Sequence, residues 1–186
     1  NDSVFGNTNI RRWAYATSKS LDEFLALAYH HSKQLPVIIV RFFNTVGPGQ
    51  LGDYGMVIPI FVQKALAGDD VLIHGDGEQK RSFAYVGDIV GAIEKLMHTE
   101  TAVGNVINIG NDAEITINDL AKMVIKKCNS SSKMKHISYK EVYGSGFEDM
   151  KRRKPNLKKI NKMIGYKPSV DLEQIIDEVI EFQKSH

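Results

Sequence analysis

The sequence runs from a helix-like stretch over 14–33 into the apolar run Val37-Ile-Ile-Val40, and a turn, Gly47-Pro-Gly49, follows closely. A helix that feeds a strand bounded by a glycine/proline turn is a building unit of α/β folds. The rest of the chain keeps to this alternation. Periodicity predicts a helix over 57–67, with Pro59 in its first turn where proline is tolerated, and a short strand at 71–73. A second short strand is expected at 83–85, then a helix at 88–98 with Asp88 as its N-cap, then a strand at 106–109 closed by Gly110. Thr116 and Asp119 make an acidic variant of the capping box that opens a helix over 117–127. A strand at 135–139 precedes a loop rich in glycine and acidic residues, and a short helix at 156–163 ends at Gly165. The final helix puts Leu172, Ile175, Ile176, Val179 and Ile180 on one face. There is no internal repeat and no low-complexity tract, and Ser130-Ser-Ser132 reads as a surface turn.

Composition narrows the function classes. The 186 residues, 42% hydrophobic and 25% charged, suit one globular domain or a domain with part of another. A net charge of +2 argues for neither nucleic acid nor membrane as a bulk partner. No apolar run approaches the ~20 residues of a membrane span, and no signal-peptide pattern is visible. Cys128 is the single cysteine, so no internal disulfide can form. With no C-x-x-C and no H-E-x-x-H, no metal site is suggested. A reducing, cytoplasmic setting is the expectation.

Tyr15-Ala-Thr-Ser-Lys19 places a phenol and an ammonium on one helix face, about 6 Å apart along the axis. The cation favours the phenolate, and a phenolate can act as a general base on a hydroxyl. The spacing alone is weak evidence, because Tyr29-His-His-Ser-Lys33 repeats it. The two tyrosines lie about 21 Å apart along a helix and cannot serve one site. Tyr29 and Lys33 fall at the helix C-terminus, where a cation suits the dipole. Tyr15 and Lys19 are flanked by Ala14, Ala16 and Ser18, which leave room for a ligand. The strand that follows leads to a turn of the kind at which α/β folds bind ligands.

Further motifs follow in order: Arg41-Phe-Phe-Asn44-Thr45-Val46-Gly47-Pro48, Gly55-Met-Val-Ile-Pro59, Gly75-Asp-Gly77-x-x-x-Arg81-Ser-Phe83 and Val86-Gly-Asp88. With Tyr15-x-x-x-Lys19 they resemble the extended short-chain dehydrogenase/reductase family, and within it the NAD-dependent nucleotide-sugar epimerases, dehydratases and decarboxylases. The resemblance implies an α/β fold: the C-terminal part of a Rossmann fold plus a small α/β substrate-binding domain. Residues 1–50 would supply the last Rossmann elements and 51–186 the substrate domain, with 83–100 packing back on the first. It also implies a homodimer through the Tyr15 helix, whose Leu21, Phe24, Leu25, Leu27 and Ala28 exceed what one sheet face requires. The family's glycine-rich turn for the NAD pyrophosphate and its catalytic Ser/Thr would lie upstream of Asn1, since Ser3 is too close to Tyr15. The expectation is therefore the C-terminal part of a longer enzyme.

The same resemblance implies roles. Tyr15 would be the base, and Lys19 would hold the nicotinamide ribose of NAD. Thr45 and Val46 would bring backbone near the nicotinamide. Asn44 would bond the sugar diphosphate, its alternative being a strand-ending turn residue. Arg81 and Arg153 would grip the diphosphate of a UDP-sugar with planar forks. Arg153, two residues before Pro155, matches the family's arginine, and Arg152 reads as solvated. Val57 and Ile58 would cover the nucleobase or simply pack, and Phe147 would stack on the base or plug the core. The run from Lys151 to Lys162 carries seven cations in twelve residues. It lacks interleaved aromatics and reads as a solvated face rather than a nucleic-acid site. Gly47-Pro-Gly49-Gln-Leu-Gly52 fits G-x-G-x-x-G, but a loop follows it instead of a helix.

The sequence reading is thus a 4-epimerase working through a 4-keto UDP-sugar. The alternatives are a UDP-glucuronate decarboxylase, an NDP-sugar 4,6-dehydratase and, from another class, an inactive nucleotide-binding fragment. Tyr15-Ala-Thr-Ser-Lys19 resembles the epimerases and dehydratases, whereas Gly146-Phe-Glu-Asp-Met-Lys-Arg-Arg153-Lys-Pro155 resembles the decarboxylases.

Overall fold

The computed structural model describes residues 6–10, 12–52, 56–144, 147 and 149–185. The opening turn at Asn1-Asp-Ser3, the loop residues Asp53-Tyr-Gly55, and Gly146 and Glu148 of the acidic loop lie outside the described residues.

Helix α1 spans Arg12–Lys33 and delivers the chain to strand β1, Ile38–Phe42. Its half-buried positions, Trp13, Ala16, Ser20, Glu23, Ala26, Leu27 and His30, fall at helical spacing, so a single stripe faces the protein. Small residues in that stripe let the helix lie close to β1. Glu23 fixes the contact by accepting two hydrogen bonds from the Arg41 guanidinium, each 2.6 Å. Leu21, Phe24, Leu25 and Tyr29 stay exposed on the outer side.

Past β1 the chain forms β2 (Thr45–Val46), α2 (Val57–Ala67), β3 (Val71–His74), β4 (Lys80–Arg81) and β5 (Ala84–Tyr85). Helix α3 (Val86–Met97) and a 3-10 turn lead to β6 (Asn105–Ile109). Then come β7 (Ile115–Thr116), α4 (Ile117–Lys127), β8 (Met134–Ile137) and the short α5 (Tyr139–Tyr143). Helices α6 (Lys158–Ile164) and α7 (Leu172–Ser185) complete the order. Strands pair as β1 with β6, β2 with β5 and β3 with β8, all parallel, and β4 with β7 antiparallel. In the β1–β6 pair Ile38 lies opposite Asn105 and Phe42 opposite Ile109. Parallel pairing across helical crossovers is the α/β arrangement that the alternation implies.

Two apolar cores result. One gathers Val46, Ile58, Phe61, Val62, Val71, Ile73, Leu120, Val124, Ile175 and Ile176, from β2, α2, β3, α4 and α7. The other gathers Ile89, Leu96, Ile107, Ile109, Ile160 and Tyr166, with Ile38 and Val40 against them. The second core therefore draws on β6 and α6 as well as β1 and α3. Residues 105–109 and 158–166 thus share a core with the first strand.

Local departures from expectation have plain causes. Asp88 is not an N-cap: α3 begins at Val86, and the Asp88 carboxylate accepts from the Ser169 hydroxyl and from the backbone N–H groups of Ser169 and Val170. It ties the approach to α7 onto α3. Thr116 does cap α4, accepting from the Asp119 N–H at 3.0 Å, but the Asp119 carboxylate accepts from the Thr116 hydroxyl rather than from a backbone N–H. Among the described residues, Gly47–Gly52 is not helical and the next helix starts at Val57.

Candidate active site

The segment from the end of β1 to β2 runs past three cavities that hold the sequence-implied residues. The first, about 650 Å³ in volume, lies between α1 and β1 and is lined by Tyr15, Lys19, Glu23, Phe42, Phe43 and Arg153. Residues more than a hundred positions apart meet here. Tyr15 is 70% exposed. The Lys19 ammonium sits 5.9 Å from the centroid of its ring and donates to Asp22 at 2.8 Å. That hydrogen bond, with the Asp22 charge behind it, raises the Lys19 pKa above its ordinary value, so the group stays cationic beside the phenol. The Arg153 guanidinium lies over the Phe43 ring at 5.2 Å, an arrangement suited to a planar cation. Tyr29 does not line this cavity, and Lys33 falls in the last turn of α1 with His30 and His31.

A second cavity, about 320 Å³, brings Asn44, Val57, Arg81 and Phe147 together with His74 and Tyr139, among others. Its wall is aromatic. Phe147 stacks on Tyr143 at 4.1 Å and 15°, and Tyr143 meets the His74 ring edge-on at 5.4 Å. The His74 Nδ1 and the Tyr143 hydroxyl are 3.0 Å apart. Burial pushes the His74 pKa down and the Tyr143 pKa up, so both prefer to be neutral. Phe147 thus has a ring partner within the chain, and it faces the cavity rather than either core.

Asn44 stands at φ 38°, in the left-handed region that asparagine tolerates better than most residues. Its side-chain amide donates to the Ser82 carbonyl at 2.7 Å, and its own carbonyl accepts from the Ala84 N–H. Asn44 thus holds the β2–β5 corner while lining the aromatic cavity. A third, small cavity of about 60 Å³ is bordered by Asn44, Thr45, Val46, Gln50, Val57 and Ile58. Ile58 is 1% exposed and Val46 is buried, and both also belong to the apolar core. The Thr45 hydroxyl is buried with no hydrogen-bond partner among the described residues.

Two arginines differ from expectation. Arg81 is only 15% exposed, and both of its terminal guanidinium nitrogens are engaged, by Asp149 and two carbonyls. Arg152 is not simply solvated, since it forks onto Glu114 with Nε at 2.7 Å from the carboxylate. Sequence reasoning missed Tyr139, Tyr143, His74, Gln79 and Asp149. The signal for the first two was present: Ser138 and Glu141 form a reciprocal capping box that starts α5.

The residues present fit one end of NAD. A tyrosine and a lysine held cationic line one cavity beside a parallel strand, and an unpartnered buried hydroxyl follows on Thr45. Among the described residues no glycine-rich turn opens a helix in the manner of a pyrophosphate site. No group of three or more metal-ligating side chains occurs among them, and no helix among them is long and apolar enough to cross a membrane.

The fold and the matches to known proteins place the chain among the extended short-chain dehydrogenases/reductases of the nucleotide-sugar epimerase and dehydratase type. The chain belongs to the family described as GDP-mannose 4,6 dehydratase, whose model matches residues 8–179. It is 42% identical over 97% of its length to UDP-N-acetyl-alpha-D-glucosaminuronate decarboxylase of Bacillus cytotoxicus, covering 56% of that protein. A mutant UDP-glucuronic acid 4-epimerase of Bacillus cereus, in complex with UDP-4-deoxy-4-fluoro-glucuronic acid and NAD, superposes with a TM-score of 0.78 at 26% identity. That match covers 88% of this chain and 50% of the other. The dTDP-glucose 4,6-dehydratase of Bacillus anthracis, in complex with NAD, superposes with a TM-score of 0.80 at 28% identity, covering 92% of this chain and 52% of the other. The chain thus spans about half the length of each of these proteins. Placing the epimerase ahead of the decarboxylase, as the Tyr15 motif suggests, is not carried by these matches.

Proposed function

We propose that the chain is part of an NAD-dependent UDP-sugar decarboxylase that oxidises its substrate at C4. The observation that carries this reading is the 42% identity, across nearly the whole chain, to a decarboxylase of a UDP-linked sugar acid. The common cavity of Tyr15, Lys19 and Arg153 supports it. NAD, when bound, supplies the hydride acceptor for the sugar carbon. Tyr15 takes the proton of the C4 hydroxyl. Lys19, kept charged by Asp22, stabilises the phenolate and reaches the ribose. Arg153, whose guanidinium lies over the Phe43 ring, counters the diphosphate. The aromatic cavity of Tyr143 and Phe147 offers ring faces to the base. A C4 ketone would then let a C5 carboxylate leave. We further propose a homodimer through the exposed face of α1.

The 4-epimerase is the second reading, motivated by Tyr15-Ala-Thr-Ser-Lys19. Incubating the full-length protein with NAD and UDP-glucuronic acid or its 2-acetamido counterpart separates the two. A decarboxylase releases carbon dioxide and leaves a UDP-pentose. Inversion at C4 with the carboxylate retained would establish the epimerase instead.

A further inference from the structure

Arg81 makes four hydrogen bonds inside the chain. Its Nη1 donates to the carbonyls of Lys80 and Met150, and its Nη2 donates to both carboxylate oxygens of Asp149, each at 2.8 Å. Asp149 also accepts from the Tyr139 hydroxyl at 2.9 Å and from the Met150 N–H at 2.8 Å. Tyr139 in turn accepts from the Gln79 amide at 3.0 Å. All four side chains line the aromatic cavity, alongside Asn44 and Phe147. The arginine that the family resemblance assigns to a diphosphate therefore already holds an anion. A carboxylate that offers two oxygens to a guanidinium presents it with the kind of acceptor that a phosphate does.

We propose that Asp149 is an internal stand-in for phosphate: its carboxylate occupies Arg81 in the free protein, and a diphosphate-bearing ligand binds there by displacing it. The inference rests on the nucleotide-sugar reading above. It makes Asp149 a specificity-determining residue. A singly charged ligand offers Arg81 no more than Asp149 already does and does not displace it. A diphosphate carries more charge and more acceptor oxygens, and it does. Tyr139 sets how firmly the stand-in is held. Burial, and then its hydrogen bond to the Asp149 carboxylate, raise the Tyr139 pKa well above the ordinary value for tyrosine, so its hydroxyl remains a donor to Asp149.

The test is calorimetry on the full-length protein with UDP and with uridine. Asp149→Asn keeps the shape and removes the competing charge, and it should tighten UDP roughly tenfold while leaving uridine unchanged. Tyr139→Phe should tighten UDP by a smaller factor, and it carries the test if Asp149→Asn fails to fold. Weaker or unchanged UDP binding in a folded variant would overturn the exchange and make Asp149 a residue that positions Arg81. A wild-type protein that binds neither UDP nor uridine would overturn the nucleotide reading and the exchange together. Wild-type UDP binding with no tightening in the variants would overturn the exchange alone.

Discussion

Arg152 and Arg153 are neighbours with different surroundings. Arg153 stacks on Phe43 in the Tyr15 cavity, whereas Arg152 lies 65% exposed against Glu114. Arg153→Ala should therefore weaken UDP binding by about 2 kcal/mol, the scale of a charged hydrogen bond. Arg152→Ala removes an ion pair made by a largely exposed guanidinium and should barely change it. Titration calorimetry checks both, and equal losses would contradict the placement. His74 makes a second residue-level prediction. Its pKa is lowered by burial, so on acidification the unfolded chain takes up the proton first. Its stabilising contribution is full above the ordinary histidine value near 6.5 and fades as pH falls toward the lower folded value. Between about pH 7.5 and about pH 5 the wild-type melting temperature should fall further than that of His74→Gln. Equal falls would show that His74 is not the titrating group. At this scale the sequence showed Tyr15, Lys19 and Arg153 as candidates, and the fold brings them into one cavity. The engagement of Arg81 by Asp149 was hidden, because 68 residues separate the pair.

Elements with enough length to show a period were the readable ones. The helix expected over 14–33 is Arg12–Lys33, that over 57–67 is Val57–Ala67, and that over 117–127 is Ile117–Lys127. Strand 106–109 is Asn105–Ile109, and the final helix buries Ile175, Ile176, Val179 and Ile180 as its spacing requires. The two-residue strands β4 and β7 were not legible, since two residues carry no alternation. Helix α5 is too short for a periodic signal, and its capping box was the only clue. Helix α3 starts ahead of Asp88 because that carboxylate is drawn to Ser169. The Thr116 cap gives this scale its prediction. Thr116→Ala should cost about 1 kcal/mol of unfolding free energy by removing an N-cap acceptor. Urea denaturation reads the loss, and a midpoint equal to wild type would mean that the cap contributes nothing.

Pairing β1 with β6 joins residues that are nearly seventy positions apart, and only the alternation of helix and strand hinted at it. Outside both cores, α1 shows Phe24, 69% exposed, with Leu21, Leu25 and Tyr29 on its outer side. An apolar face of this kind on a helix marks an interaction surface, and the full-length protein is expected to sediment as a dimer at micromolar concentration. Phe24→Glu should shift it to monomer, and a wild-type protein that is already monomeric would rule the pairing out. The account as a whole depends on a single phenol at the mouth of the cavity between α1 and β1. Tyr15→Phe removes one oxygen from an exposed side chain and should leave the fold intact. Turnover of a UDP-sugar acid by the full-length protein with NAD should then fall by roughly 10²-fold or more, as expected for loss of a general base. Turnover at the wild-type rate in the folded variant would contradict the assignment of Tyr15, and with it the placement of the active site.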